Sequence, residues 1–169
     1  MKKLAILGGL PAFKDRIFVT RPVVPTIEEF EPLLKDILET RWLTNDGPYA
    51  QEFEKQLEKF LGVAHCSIYC NGTLALQLCV QGLRLSGEVI TTPFTFAATP
   101  HVLYWNNTTP VFCDIDPDTY NLDPKHIESL ISPKTTGIMP VHTFGNPCNI
   151  EQIERIANYP TPPLLSSKN

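Results

Sequence analysis

The stretch Asn71-Gly72-Thr73 carries the residue types needed to hold a phosphate. Where a strand ends in such a turn and a helix opens, backbone N–H groups and the positive end of the helix dipole face outward together. Gly72 lets the backbone approach a ligand closely, and Thr73 adds a hydroxyl donor. A glycine here also serves turn geometry alone, so both readings stay open. The turn is neither a GxGxxG nor a Walker motif, which argues against nicotinamide and ATP. A second candidate is PFTFAAT, residues 93–99. Its two rings, Phe94 and Phe96, lie just past an expected strand, where open α/β sheets bind ligands. Either ring is placed to stack on a flat cofactor or to pack the following helix.

Other reactive residue types carry less. His142 ends an expected strand in PVHTFG, at the same sheet edge as the phosphate turn, with either a structural or an active-site role. His65, Cys66 and Cys70 suggest a metal cluster or a nucleophile at first sight. However, Cys66, Ile68 and Cys70 alternate like one strand face, which reads as small buried hydrophobes. No spacing supports a metal site. The five cysteines are an odd number without a CxxC pair, pointing to reduced thiols in the cytoplasm. The apolar start after Lys3 is broken by Gly8, Gly9 and Pro11, so residues 1–25 read as an N-terminal arm rather than a secretion signal.

These residues need elements to position them. Residues 26–42 have helical spacing with a Thr26/Glu29 capping box, yet Pro32 predicts a late start or a kink. Asn45-Asp46-Gly47-Pro48 is a breaker, and residues 49–61 form a second amphipathic helix ended by Gly62. From there the pattern alternates. Strands are expected at 63–70, 88–92, 110–115 and 137–142; helices at 74–85, 96–105, 124–131 and 150–158. Asp123 with Pro124, and Asn149 with Gln152, cap the last two helices. Strands alternating with helices predict an α/β fold with a mostly parallel sheet and helices on both faces, preceded by a helical arm. With 169 residues, 43% of them apolar, the chain is long enough for a sizeable core. A net charge of −4 argues against nucleic acid, and no apolar run reaches the roughly 18 to 20 residues of a membrane span.

Several blocks occur in a fixed order: WLTNDGPYAQEFEKQLEKFLG, NGTLAL, GEVITTPFTFAAT, PVFCDIDPDTYNLDP and PVHTFGNPCNIEQIERIA. Together they resemble the amino-terminal part of the DegT/StrS-type nucleotide-sugar aminotransferases, which are fold-type-I pyridoxal-phosphate enzymes. The resemblance covers roughly residues 18–158. It implies the large domain of such a transferase over 26–158, in incomplete form. It also implies that Asn71, Gly72 and Thr73 meet the cofactor phosphate, that Phe96 stacks on the pyridine ring, and that Trp42, Thr44 and Asn45 border the substrate. The implied partners are a nucleotide-linked keto sugar, an amino donor such as glutamate, and a second copy in a homodimer.

A transaminase of this kind also needs a lysine for the Schiff base and an acid beside the pyridine nitrogen. No Asp follows Asp123, and after Lys134 only Lys168 remains, without the strand and acid such a site requires. No catalytic residue is therefore assigned. The alternating pattern calls for a strand after the helix at 150–158, but PTPPLLSSKN offers three prolines in four residues. Residues 159–169 thus read as an aberrant or disordered tail, the product of a frameshift or premature stop, and the chain as truncated before its lysine. The rival reading is a non-catalytic remnant or interaction module that keeps the phosphate turn. A nicotinamide-dependent oxidoreductase would need the glycine fingerprint that is missing.

Overall fold

A computed structural model describes residues 3–158. The tail proposed above, with Lys168, lies outside them. The chain divides into two compact units between Ala64 and His65.

The first unit holds a short 3₁₀ turn, Ala5–Leu7, and two helices, α1 (Ile27–Thr40) and α2 (Pro48–Leu61). The capping box forms as expected: Thr26 accepts the Glu29 N–H, and the Glu29 carboxylate accepts the Thr26 N–H at 2.8 Å. Pro32 neither delays α1 nor divides it. The Glu28 carbonyl, which loses its partner four residues on, sits on an exposed surface where water can serve it. Gly62 caps α2 in the left-handed conformation. Tyr49 Oη donates to Asp36 at 3.0 Å, joining α2 to α1.

The second unit is an α/β layer. Helix α3 (Gly72–Gly82) leads to β1 (Glu88–Thr91), then α4 (Ala98–Trp105), β2 (Thr109–Phe112), α5 (Pro124–Ile127), β3 (Thr135–Met139) and α6 (Ile150–Asn158). The strands run in the order β2-β1-β3, both pairs parallel. Neighbouring side chains of β1 face opposite ways. Val89 packs with Val80 of α3 and with Val102 and Leu103 of α4. Ile90 packs on the other face with Ile127 of α5 and with Ile153 and Ile156 of α6. The helices therefore cover both faces, as expected from the alternation.

Local details depart from the sequence reading. Among the described residues, 63–70 form no strand of the β2-β1-β3 sheet, although their alternation marks an extended chain. The helix expected at 124–131 shortens to α5 and passes into a 3₁₀ turn, Glu128–Leu130. Pro110 sits within β2, an edge strand, where a missing donor is tolerated. Opposite β3 the ladder shifts between Glu88 and Val89. Gly87, at φ +68, leads into this bulge, and a Cβ there would lie 2.5 Å from the Lys134 carbonyl oxygen. Among the described residues no helix is long and apolar enough to cross a membrane.

Candidate active-site edge

The carboxyl ends of β1 and β3 collect most of the singled-out residues of the second unit. Helix α3 delivers the chain to the amino end of β1 through residues 83–87, and α4 descends from the carboxyl end of β1. At the foot of α4, Asn106 donates to the Gln77 carbonyl of α3, and the Thr108 hydroxyl to the Leu85 carbonyl. Both helices thus begin at the carboxyl edge, which places the Asn71-Gly72-Thr73 turn there.

At that turn Asn71 is the N-cap of α3. Its Oδ1 accepts the Leu74 N–H at 2.9 Å, while the first intrahelical bond runs from the Ala75 N–H to the Asn71 carbonyl. The N–H groups of Gly72 and Thr73 meet no acceptor among the described residues. A Cβ built on Gly72 would touch nothing within 4 Å, so a side chain fits at this position. Two adjacent outward amides at a helix start form a cradle for an anion.

Past β1, Thr92 Oγ1 accepts the Phe94 N–H at 3.1 Å, and the Thr95 and Thr99 hydroxyls share a hydrogen bond of 2.8 Å. The two phenylalanines then part. Phe94 lies 5.8 Å from Tyr120 and edge-on to Phe144 at 6.2 Å between ring centres. Phe96 is 79% exposed and enters no such ring pair among the described residues. Thr91 Oγ1 donates to the Met139 carbonyl at 2.8 Å, holding the ends of β1 and β3 together.

His142 follows β3, and its Nδ1 accepts the Cys148 N–H at 3.0 Å, a structural bond. The Cys148 thiol donates to the Val141 carbonyl, and burial raises its pKa. Burial likewise raises the Cys113 thiol, with the Asp123 and Asp114 charges adding to it. Among the described residues, which include all five cysteines, no disulfide forms.

Trp42, Thr44 and Asn45 belong to the first unit. The Trp42 indole donates to the Asn45 carbonyl at 3.2 Å, closing the exposed turn that precedes α2, and Thr44 is exposed beside it.

Sequence reasoning missed Asn121. It is buried, and its side chain bonds to the 143–147 loop across more than twenty residues. No periodicity marks such a residue.

Comparison with known proteins adds four findings. Residues 25–165 match the model of the DegT/DnrJ/EryC1/StrS aminotransferase family. The chain is 51% identical over 140 residues to a dTDP-4-amino-4,6-dideoxy-D-glucose transaminase of Escherichia coli, an alignment covering 83% of this chain and 38% of that enzyme. The chain thus spans well under half the length of this relative. Among solved structures, DesI in the presence of its TDP-sugar product superposes with a TM-score of 0.83 at 42% identity, covering 91% of this chain and 39% of DesI. NtdA of Bacillus subtilis, with bound cofactor PMP, superposes with a TM-score of 0.71 at 32% identity, covering 86% of this chain and 36% of NtdA.

Proposed function

This chain belongs to the DegT/DnrJ/EryC1/StrS aminotransferase family, and we propose that it supplies the cofactor-phosphate turn of a pyridoxal-phosphate enzyme that aminates a keto group on a nucleotide-linked sugar. The observation that carries this reading is the pair of amides at Gly72 and Thr73, at the start of a helix, that meet no acceptor among the described residues. A relative that is a dTDP-sugar transaminase and a neighbour solved with a TDP-sugar product support the substrate class. A neighbour holding PMP supports the cofactor.

The residues fit the group. The Gly72 and Thr73 amides and the Thr73 hydroxyl would take the phosphate, with the α3 dipole favouring its charge. The exposed Phe96 ring would stack on the pyridine. When bound, pyridoxal phosphate supplies an electron-withdrawing ring and a carbonyl carbon that carries the amino group between substrates. Asn71 orients the turn through its cap on Leu74 rather than through the ligand. Trp42, Thr44 and Asn45 are proposed for the nucleotide-sugar side. No residue of this chain is assigned as the lysine or the pyridine-nitrogen acid. Glutamate as amino donor, pairing with a second copy and a cytoplasmic setting belong to the same reading.

The test is equilibrium dialysis of the full chain against pyridoxal phosphate, with and without Gly72→Val. Nothing lies within 4 Å of the new Cβ, so the variant should fold normally while its side chain fills the cradle. Loss of binding with an unchanged melting curve is expected. Equal binding would sink the phosphate assignment, and no binding by the parent chain would overturn the cofactor reading itself.

A further inference from the structure

The loop after β3 is held more firmly than an exposed connection requires. Asn121, 4% exposed, accepts the Thr143 N–H at 2.9 Å through Oδ1. Its Nδ2 donates to the Asn146 carbonyl at 3.0 Å and the Pro147 carbonyl at 3.1 Å. On either side, Thr143 Oγ1 donates to the Tyr120 carbonyl at 3.0 Å and Asn146 Nδ2 to the Thr119 carbonyl at 3.3 Å. The His142 acceptor for the Cys148 N–H closes the loop on itself. At its tip Phe144 has φ 54, a left-handed conformation costly for an aromatic residue, and the residue is 89% exposed. The bonds that enforce this backbone therefore spend a ring on solvent. That ring stands edge-on to Phe94 at the carboxyl end of β1, where open α/β sheets take ligands.

We propose that Asn121 is a positioning residue: it clamps residues 142–148 so that Phe144, beside Phe94, meets the flat ring of a phosphorylated heteroaromatic ligand at the carboxyl edge of the sheet. This rests on the reading above, in which that edge takes both pyridoxal phosphate and a nucleotide. The shared chemistry is a planar ring bearing phosphate, from the cofactor pyridine or from the nucleotide base. Phe144 supplies ring contact, and Asn121 acts only through the backbone it holds.

The experiment is a double-mutant cycle on the full chain, with pyridoxal phosphate and dTDP as separate probes in equilibrium dialysis. Phe144→Ala should weaken one probe about two- to tenfold, the range of an aromatic contact, and leave amide exchange at Thr143 and Cys148 unchanged. Asn121→Ala should speed that exchange and weaken the same probe. In the Phe144→Ala background, Asn121→Ala should cause no further loss of affinity, an outcome that a merely structural role would not give. Thr143→Val removes only the Thr143 hydroxyl bond to the Tyr120 carbonyl and loosens the same loop, so it serves in the same cycle if the alanine variant does not fold. The probe that responds identifies the source of the ring. Additive effects, or affinities for both probes untouched by Phe144→Ala, overturn the proposal. If pyridoxal phosphate binding falls with Gly72→Val but neither probe responds to Phe144→Ala, the phosphate reading survives and this one fails. Binding of neither probe by the parent chain overturns both.

Discussion

The Asn71 side-chain oxygen accepts the Leu74 amide at 2.9 Å, and this bond decides which donors at the start of α3 stay open. It removes Leu74 from the set and leaves Gly72 and Thr73. Asn71→Ala should therefore cost about 1 kcal/mol of stability, the usual price of a lost N-cap, read as a lower midpoint in thermal unfolding. Binding of pyridoxal phosphate should persist. Asn71→Asp should keep the cap and the midpoint but weaken phosphate binding, because its carboxylate repels the anion. Abolished binding in Asn71→Ala at an unchanged midpoint would mean that Asn71 touches the ligand.

Acid should loosen the turn that carries Asn121. The Asp116 carboxylate accepts the Thr119 N–H at 2.9 Å and the Asp118 N–H at 3.0 Å. The Thr119 amide bond is the larger cause and Asp118 the next, and together they hold the carboxyl below its ordinary range. A lowered folded pKa means the carboxylate supports the fold above the ordinary aspartate pKa. That support is lost as pH falls through the lowered value. Carbon-detected NMR should show Asp116 titrating below the ordinary aspartate range, with the Thr119 amide following the same midpoint. In Asp116→Asn that amide shift should vanish; its survival would assign the titration to another group.

Helix α1 contains Pro32 without breaking, so the ring's steric cost and the missing bond to Glu28 are carried inside it. Pro32→Ala should restore that bond and stabilise α1 by up to about 3 kcal/mol. Hydrogen exchange of the amides in Ile27–Thr40 should slow. Faster exchange would mean that the proline sets a contact α1 depends on.

What the sequence revealed was mostly local. The Thr26/Glu29 box, the Gly62 terminus, the Asp123-Pro124 start and the Asn149–Gln152 pair are each fixed within a few residues, and each forms. Residues 63–70 differ because periodicity marks an extended chain and does not say whether it enters the β2-β1-β3 sheet of the described residues. The residue pattern alone left Phe94 and Phe96 equivalent for a similar reason, and only the resemblance pointed to Phe96. Only the fold brings Tyr120 and Phe144 against Phe94 and leaves Phe96 outside that cluster. Asn121 was hidden because its partners lie 22 to 26 residues away. The family resemblance, spread over several blocks, identified what no single block could.

The strand order β2-β1-β3 also sets a sequence of assembly. Glu88 pairs with Thr109 on one side and with Thr135 on the other, the second partner being more than twice as far along the chain. Each doubling of a closed loop adds about 0.6 kcal/mol of entropy cost, so β1 zips to β2 more cheaply than to β3. The helical turn with its open amides belongs to the part that closes early. The Thr91–Met139 tie and the clamped aromatic loop arrive with the slower partner, so the edge gains its cradle before it gains its rim.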